Sequence, residues 1–181
     1  SLCDGMGCGA EASRESRRIV ELLETLLETG FAPRSAFKLV NTVLLLTGGE
    51  QHPAALDAGC INLYTGALEI FKLGAPGAFV IGQEGIQVLE GRQVPAGALE
   101  QAEPVLLSRK LWDGDRLIMV TDGVLDALPG DDKEQVMGQF LDSLEEMPPQ
   151  DMAEHVLDFA LSFVPGARDD MTVLAVQVWK K

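Results

Sequence analysis

Three short acidic motifs could carry chemistry in this 181-residue chain: Asp4-Gly5, Asp122-Gly123 and Asp169-Asp170. Asp4 follows Leu2-Cys3, which reads as the end of a strand. Asp122 ends the apolar run 117–121, and Asp169 and Asp170 directly precede the last apolar run. Each is thus a carboxylate at an expected strand end beside small or flexible neighbours. If adjacent strands bring them to one edge of a sheet, they repel one another unless protonated or shared by cations. Hard divalent ions such as Mg²⁺ or Mn²⁺ favour oxygen donors, use few carboxylates and keep several waters. Two such ions on a shared carboxylate can activate water and clamp a phosphoryl group for in-line attack. Taken singly, Asp-Gly is more often a turn than a ligand, and Asp113-Gly114 is read as a turn. The recurrence of one setting at three places favours the metal reading.

The composition narrows the partners. Hydrophobic residues at 46% and charged residues at 23% predict a packed domain and not a disordered one. Lys plus Arg number 14 against 28 Asp plus Glu, a formal charge of -14, and no basic cluster stands out in sequence. That excludes nucleic acid as the expected partner and disfavours direct contact with an anionic membrane. Apolar runs such as 43–46 are far shorter than the ~18 residues a span requires. The opening Ser1-Leu2-Cys3-Asp4 has no basic-then-apolar leader, so a cytoplasmic domain is expected. Three cysteines (Cys3, Cys8 and Cys60) are an odd count and read as reduced thiols. Neither histidine, His52 or His155, lies near a cysteine pair, so a zinc site is disfavoured and both read as structural or exposed.

Elements that would position the carboxylates follow from periodicity. After the loop Gly5-Met6-Gly7-Cys8-Gly9, Ile19, Leu22, Leu23, Leu26 and Leu27 recur at helical spacing, and Gly30 is placed to end that helix. A second helix begins near Pro33, buries Phe37, Val40 and Leu44, and stops before Gly48-Gly49. The period then changes. Strands are predicted at 56–63, 68–73, 79–81, 86–89, 105–107 and 117–120, the last apolar enough to be buried on both faces. Two further helices carry Val136, Met137, Phe140, Leu141 and Leu144, then Met152, Val156, Phe159, Ala160 and Phe163. Pro148-Pro149 is read as ending the first, and Asp151 with Glu154 as a capping box for the second. The last strand is placed at 171–179. This order predicts an α+β layered fold with mostly antiparallel sheets, in a single domain spanning 1–181. Gly5-x-Gly7-x-x-Ala10 imitates a dinucleotide fingerprint, but a second helix follows where that fingerprint needs a strand with an acid.

Asp4-Gly5-Met6-Gly7, Thr121-Asp122-Gly123 and Ala167-Arg168-Asp169-Asp170-Met171-Thr172 resemble the metal-site motifs of the protein phosphatase 2C superfamily. Within it, Cys3-Asp4-Gly5-Met6-Gly7-Cys8-Gly9, followed by Ala10-Glu11-Ala12 and Glu15-Ser16, is most similar to the stage II sporulation protein E phosphatase family. Pro95, Gly97 and Gly114-Asp115 also fit, so the resemblance runs along nearly the whole chain. It implies a four-layer αββα sandwich of two mostly antiparallel sheets flanked by helices. It implies two divalent cations, Mn²⁺ or Mg²⁺, and a phosphoserine/phosphothreonine protein phosphatase needing no protein nucleophile.

By the same resemblance, Asp4 would bridge both ions and Asp122 and Asp169 would complete one metal site. The Gly5 carbonyl would contact the other ion. Asp170 and Arg168 would stand behind the ligands or near the substrate phosphate. The implied substrate is a phosphorylated anti-anti-sigma factor in sporulation control. The helix pair 12–46 would serve as activation switch and homodimer contact, although its leucine face has the plainer task of covering the sheet. The family also places strands with a further acidic ligand ahead of the first motif, and membrane anchoring upstream. Those strands would lie before Ser1. The chain by itself is therefore expected to turn over weakly and to self-associate through an exposed strand edge. The competing reading is a phosphatase-like regulatory or dimerisation module, against which the retention of three acidic motifs argues.

Overall fold

The computed structural model describes residues 1–5, 10–47, 53–91, 94–164 and 170–179. In chain order the first elements are β1 (Leu2–Gly5), α1 (Ala10–Glu28), α2 (Pro33–Thr47), β2 (Ala54–Ile61) and β3 (Ala67–Leu73). Then come β4 (Ala78–Gly82), β5 (Gly85–Leu89), β6 (Val105–Lys110) and β7 (Arg116–Val120). The chain closes with α3 (Asp122–Asp126), α4 (Lys133–Ser143), α5 (Pro149–Leu161) and β8 (Val173–Gln177). Two four-stranded sheets result, ordered β1-β2-β3-β6 and β5-β4-β7-β8. The pairings β1–β2, β2–β3, β4–β5, β4–β7 and β7–β8 are all antiparallel. The chain divides into two compact units, 1–61 with 68–75 and 91–108, and 62–67 with 76–90 and 109–181.

In the first unit, α1 and α2 lie on one face of the sheet. Ile19, Leu23, Phe37 and Val40 pack there with Leu56, Ala58, Phe71 and Leu73, which alternate along β2 and β3 as a half-covered pleat requires. The other face of the same strands is also buried. It carries Leu68, Ile70 and a cross-strand pair, Asp57 opposite Lys72, both removed from water. The Lys72 ammonium bonds Asp57 Oδ2, and Asp57 Oδ1 has no hydrogen-bond partner among the described residues. Gly30 ends α1 with φ +91. Its N–H donates to the Leu27 carbonyl and that of Phe31 to the Leu26 carbonyl, each at 3.0 Å, which closes the helix as a Schellman turn.

In the second unit, β7 is the central apolar strand the hydropathy predicted, with Leu117, Ile118, Met119 and Val120 all nearly inaccessible. Phe79, Ile118 and Val120 pack with Val124 of α3, Met137 and Leu141 of α4, and Met152 and Val156 of α5.

Several expectations shift by a few residues. The strand expected at 56–63 runs Ala54–Ile61, and the one expected at 171–179 runs Val173–Gln177. Pro148-Pro149 does not end α4, which stops at Ser143. Pro149 instead opens α5, as its missing N–H permits. The capping box is not formed. Pro148 is the N-cap and offers no side-chain acceptor, and Glu154 instead accepts from Gln150 Nε2 at 2.9 Å. Gly48-Gly49, Cys8 and His52 lie outside the described residues. Among the described residues no helix is long and apolar enough to cross a membrane.

Candidate metal centre

In the first unit Asp4 sits at the end of β1, half-buried, and pairs with Ala55 of β2 while Gly5 pairs with Ala54. The Gly5 N–H donates to Ser16 Oγ of α1 at 3.0 Å. A Cβ on Gly5 would stand 2.9 Å from that same oxygen and 3.6 Å from the Ala12 carbonyl oxygen, so a side chain there would compete with this hydrogen bond. Cys3, beside Asp4, has its thiol pushed up to about 12, chiefly by burial and against the hydrogen bond from Ser16. It is therefore a protonated thiol at neutral pH and adds no soft thiolate donor next to Asp4.

In the second unit Asp122 does not end β7 as expected. The strand ends at Val120, Thr121 is the N-cap, and Asp122 is the first residue of α3. The apolar face of the short helix explains the turn: Val124 and Leu125 enter the core beneath it. Thr121 makes no capping bond with its side chain. Its hydroxyl donates to the Asp170 carbonyl at 3.3 Å and accepts the Thr172 N–H at 3.0 Å. Its N–H donates to the Thr172 carbonyl at 3.1 Å. Just beyond, Val120 pairs with Val173. This clasp brings Asp122 and Asp170, both exposed, to the same end of the sheet.

Asp169 and Arg168 lie outside the described residues. Among the described residues, no group of three or more His, Cys, Asp or Glu gathers closely enough to hold a metal ion. His155 is exposed on α5, its Nδ1 2.8 Å from the Asp151 carbonyl, and takes no part. The donors that the motifs supply are carboxylates and a backbone carbonyl. Such hard oxygens fit Mg²⁺ or Mn²⁺ and do not make a thiolate zinc site.

Sequence reasoning missed two positioning residues. Thr121 was legible as an N-cap type at a strand end. Ser16 left no local signal, because its bond to Gly5 spans 11 residues and depends on how α1 docks.

Comparison with known proteins shows the family and the fold. The family profile of stage II sporulation protein E (SpoIIE) matches residues 1–179. Stage II sporulation protein E of Bacillus subtilis (strain 168) is 28% identical over 180 residues, 98% of this chain and 22% of that protein. This chain thus spans about a fifth of that relative's length. A solved structure of the PP2C phosphatase domain and a fragment of the regulatory domain of SpoIIE from Bacillus subtilis has a TM-score of 0.88 at 28% identity. It covers 97% of this chain and 53% of that one. The catalytic domain of the serine threonine protein phosphatase PstP, solved in complex with two manganese ions, has a TM-score of 0.75 at 17% identity. It covers 98% of this chain and 86% of that one, and at this identity it speaks for the fold alone. Two antiparallel four-stranded sheets flanked by helices are the architecture expected of the protein phosphatase 2C type.

Proposed function

The chain belongs to the stage II sporulation protein E family, and from that premise we propose that it is a metal-dependent phosphoserine/phosphothreonine protein phosphatase. Residues 1–181 belong to one phosphatase domain. The observation that carries the reading is the family match along residues 1–179, which contains all three acidic motifs in order. The Thr121 clasp supports it, since it gathers two of the motifs at one sheet end.

By the family's motifs, Asp4, Asp122 and Asp169 would hold the divalent cations, Mn²⁺ or Mg²⁺, and the Gly5 carbonyl would be a further donor. When bound, the ions supply a water nucleophile at neutral pH and neutralise charge on the phosphoryl group. The chain's own residues do the positioning. Ser16 fixes the Gly5 peptide, and with it the direction of the carbonyl one residue back, relative to α1. Thr121 fixes the entry of 170–172 against α3. By the resemblance, Arg168 would help neutralise the anionic substrate, and Asp170 would order the entry to β8. Cys3, held as a thiol by burial, is a bystander. The products are inorganic phosphate and a Ser or Thr hydroxyl.

The substrate is a phosphorylated protein of the anti-anti-sigma factor type, and the helix pair 12–46 contributes a homodimer contact. Leu46, 81% exposed at the end of α2, suits such a contact. The protein acts on the cytoplasmic side, with any membrane anchor supplied upstream.

The test is hydrolysis of a nitrophenyl phosphate ester and of a phosphoserine peptide by the purified chain with Mn²⁺. Turnover should vanish with EDTA and drop by orders of magnitude in Asp122→Asn. Turnover indifferent to both metal and Asp122 would overturn the assignment. Metal binding without turnover on either substrate would favour the regulatory-module reading.

A further inference from the structure

Asn41 is a polar residue at a core position. The buried face of α2 is Ala36, Phe37, Val40, Asn41 and Leu44, and Asn41 itself is 1% exposed. An amide is a poor occupant of such a position. It favours helix less than leucine does, and burying it costs free energy unless its groups are bonded. Its hydrogen bonds go to one loop. The Oδ1 accepts the Gly97 N–H at 2.7 Å. The Nδ2 donates to the Leu99 carbonyl at 3.0 Å and, more loosely, to the Glu100 carbonyl at 3.4 Å. Gly97 lets the loop lie this close to α2: it has φ +81, and a Cβ there would stand 3.0 Å from Leu44 Cβ.

The loop leads from Asn41 to the Asp4-Gly5 end of the first sheet. β3 pairs with β2 as far as Leu73, opposite Leu56. Beyond it Ala96 takes the place beside β2. Ala96 and Ala54 exchange both backbone hydrogen bonds, each at 2.9 Å. On the other edge of β2, Ala54 stands opposite Gly5 and Ala55 opposite Asp4. Successive strand residues direct their N–H and carbonyl groups to opposite edges. Ala54 thus spends its pair on Ala96, while Ala55 turns its own toward β1. Ala96 and Gly5 flank the same residue of β2 at two strand spacings, about 10 Å apart.

We propose that Asn41 is a positioning residue for the Asp4-Gly5 end of β1. Through Gly97 and Ala96 it fixes the start of β2, and with it the strand that carries two donors of the proposed metal centre. Its consequence for metal binding rests on the phosphatase reading, whereas the link itself rests on the hydrogen bonds. Ser16 ties α1 to Gly5 directly, and Asn41 ties α2 to the same place by a longer route. The apolar packing of the two helices on the sheet is non-directional, so these polar contacts set the register of the helix pair against the ligand strand.

The test compares Asn41→Ala with Val40→Ala, a core truncation on the same helix that leaves the loop bonds in place. Amide exchange is followed in the metal-free chain, and Mn²⁺ affinity is measured by calorimetry where both variants are folded. In Asn41→Ala, exchange at Ala54, Asp4 and Gly5 should quicken about tenfold more than at Ile70, in the middle of β3, whereas Val40→Ala should show no such local excess. Mn²⁺ affinity should fall about tenfold in Asn41→Ala, the low end of what losing a support behind a ligand costs, and stay near the parent's in Val40→Ala. Gly97→Ala strains the same junction from the loop's side and serves in its place should Asn41→Ala not fold. Exchange unchanged in Asn41→Ala, or equally local in Val40→Ala, would overturn the link. Altered exchange with parental Mn²⁺ affinity would make Asn41 a loop anchor and overturn its role at the site. A parent chain that binds no Mn²⁺ through Asp122 would overturn the phosphatase reading instead, and the exchange comparison would still decide whether Asn41 holds β1.

Discussion

Lys72 and Asp57 form a buried ion pair on the sheet face away from α1 and α2, and one carboxylate oxygen has no hydrogen-bond partner among the described residues. Taking two charges out of water is costly, and breaking such a pair leaves a lone buried charge. Lys72→Met should therefore destabilise the fold by about 3–5 kcal/mol, whereas Asp57→Leu/Lys72→Met should be near neutral or stabilising. Urea unfolding of the two variants checks this. Burial pushes the Asp57 carboxyl from 3.8 up to about 6, against the pull of Lys72. The folded chain thus holds this proton more tightly than the unfolded one. The resulting stabilisation is full below about pH 4 and is lost as pH rises through about 6, a change of roughly 3 kcal/mol. Asp57→Asn should lack that slope when unfolding free energy is followed from pH 4 to 7.

Elements here end or meet at glycines for two different reasons, and substitution separates them. Gly30 closes α1 at φ +91 with nothing near a built Cβ, so Gly30→Ala should cost only the left-handed backbone term, about 1 kcal/mol. Gly74 ends β3 at φ +73, and its Cβ would meet the Pro95 backbone at 2.6 Å. Gly74→Ala should cost clearly more than Gly30→Ala, because backbone must move as well, and thermal unfolding of the pair tests the ranking. The junction of β7 with α3 depends on Thr121. Thr121→Val keeps the shape and removes the hydroxyl that clasps 170–172, leaving the Thr172 N–H without its acceptor. A loss of about 1–3 kcal/mol is expected, together with faster amide exchange at Thr172. Weaker Mn²⁺ binding in the same variant would tie the clasp to the proposed metal centre.

For the whole molecule, the proposed metal site would link metal binding to folding, because an ion that binds only the folded chain stabilises it. Mn²⁺ at 100 times its Kd should stabilise the chain by about 2.7 kcal/mol, read as a rise in Tm. Asp122→Asn should lose most of that rise while its Tm without metal stays near that of the parent. An equal rise in both proteins would place the ion elsewhere. An edge strand such as β1, at the rim of its sheet among the described strands, should also favour association at high concentration, to be followed by sedimentation.

The local pattern of residues determined most of the elements. The alternation along 54–61 and 67–73, the leucine face of α1 and the unbroken apolar run of β7 read directly from spacing, since burial imposes periods of 2 and 3.6. The resemblance of the acidic motifs indicated the family. Short elements and contacts across long separations were not legible. One turn of helix at Asp122 has too few residues for a period, and Pro148-Pro149 can end one helix or start the next. Only the tertiary structure decided that Ser16 holds Gly5, that Thr121 clasps Asp170, and that Lys72 meets Asp57. It alone also brought the segments of both tryptophans together, through bonds of Gly114 and Asp115 with Val178. Each of these joins residues through sheet pairing or helix docking, and no local spacing encodes which distant partner a side chain will meet.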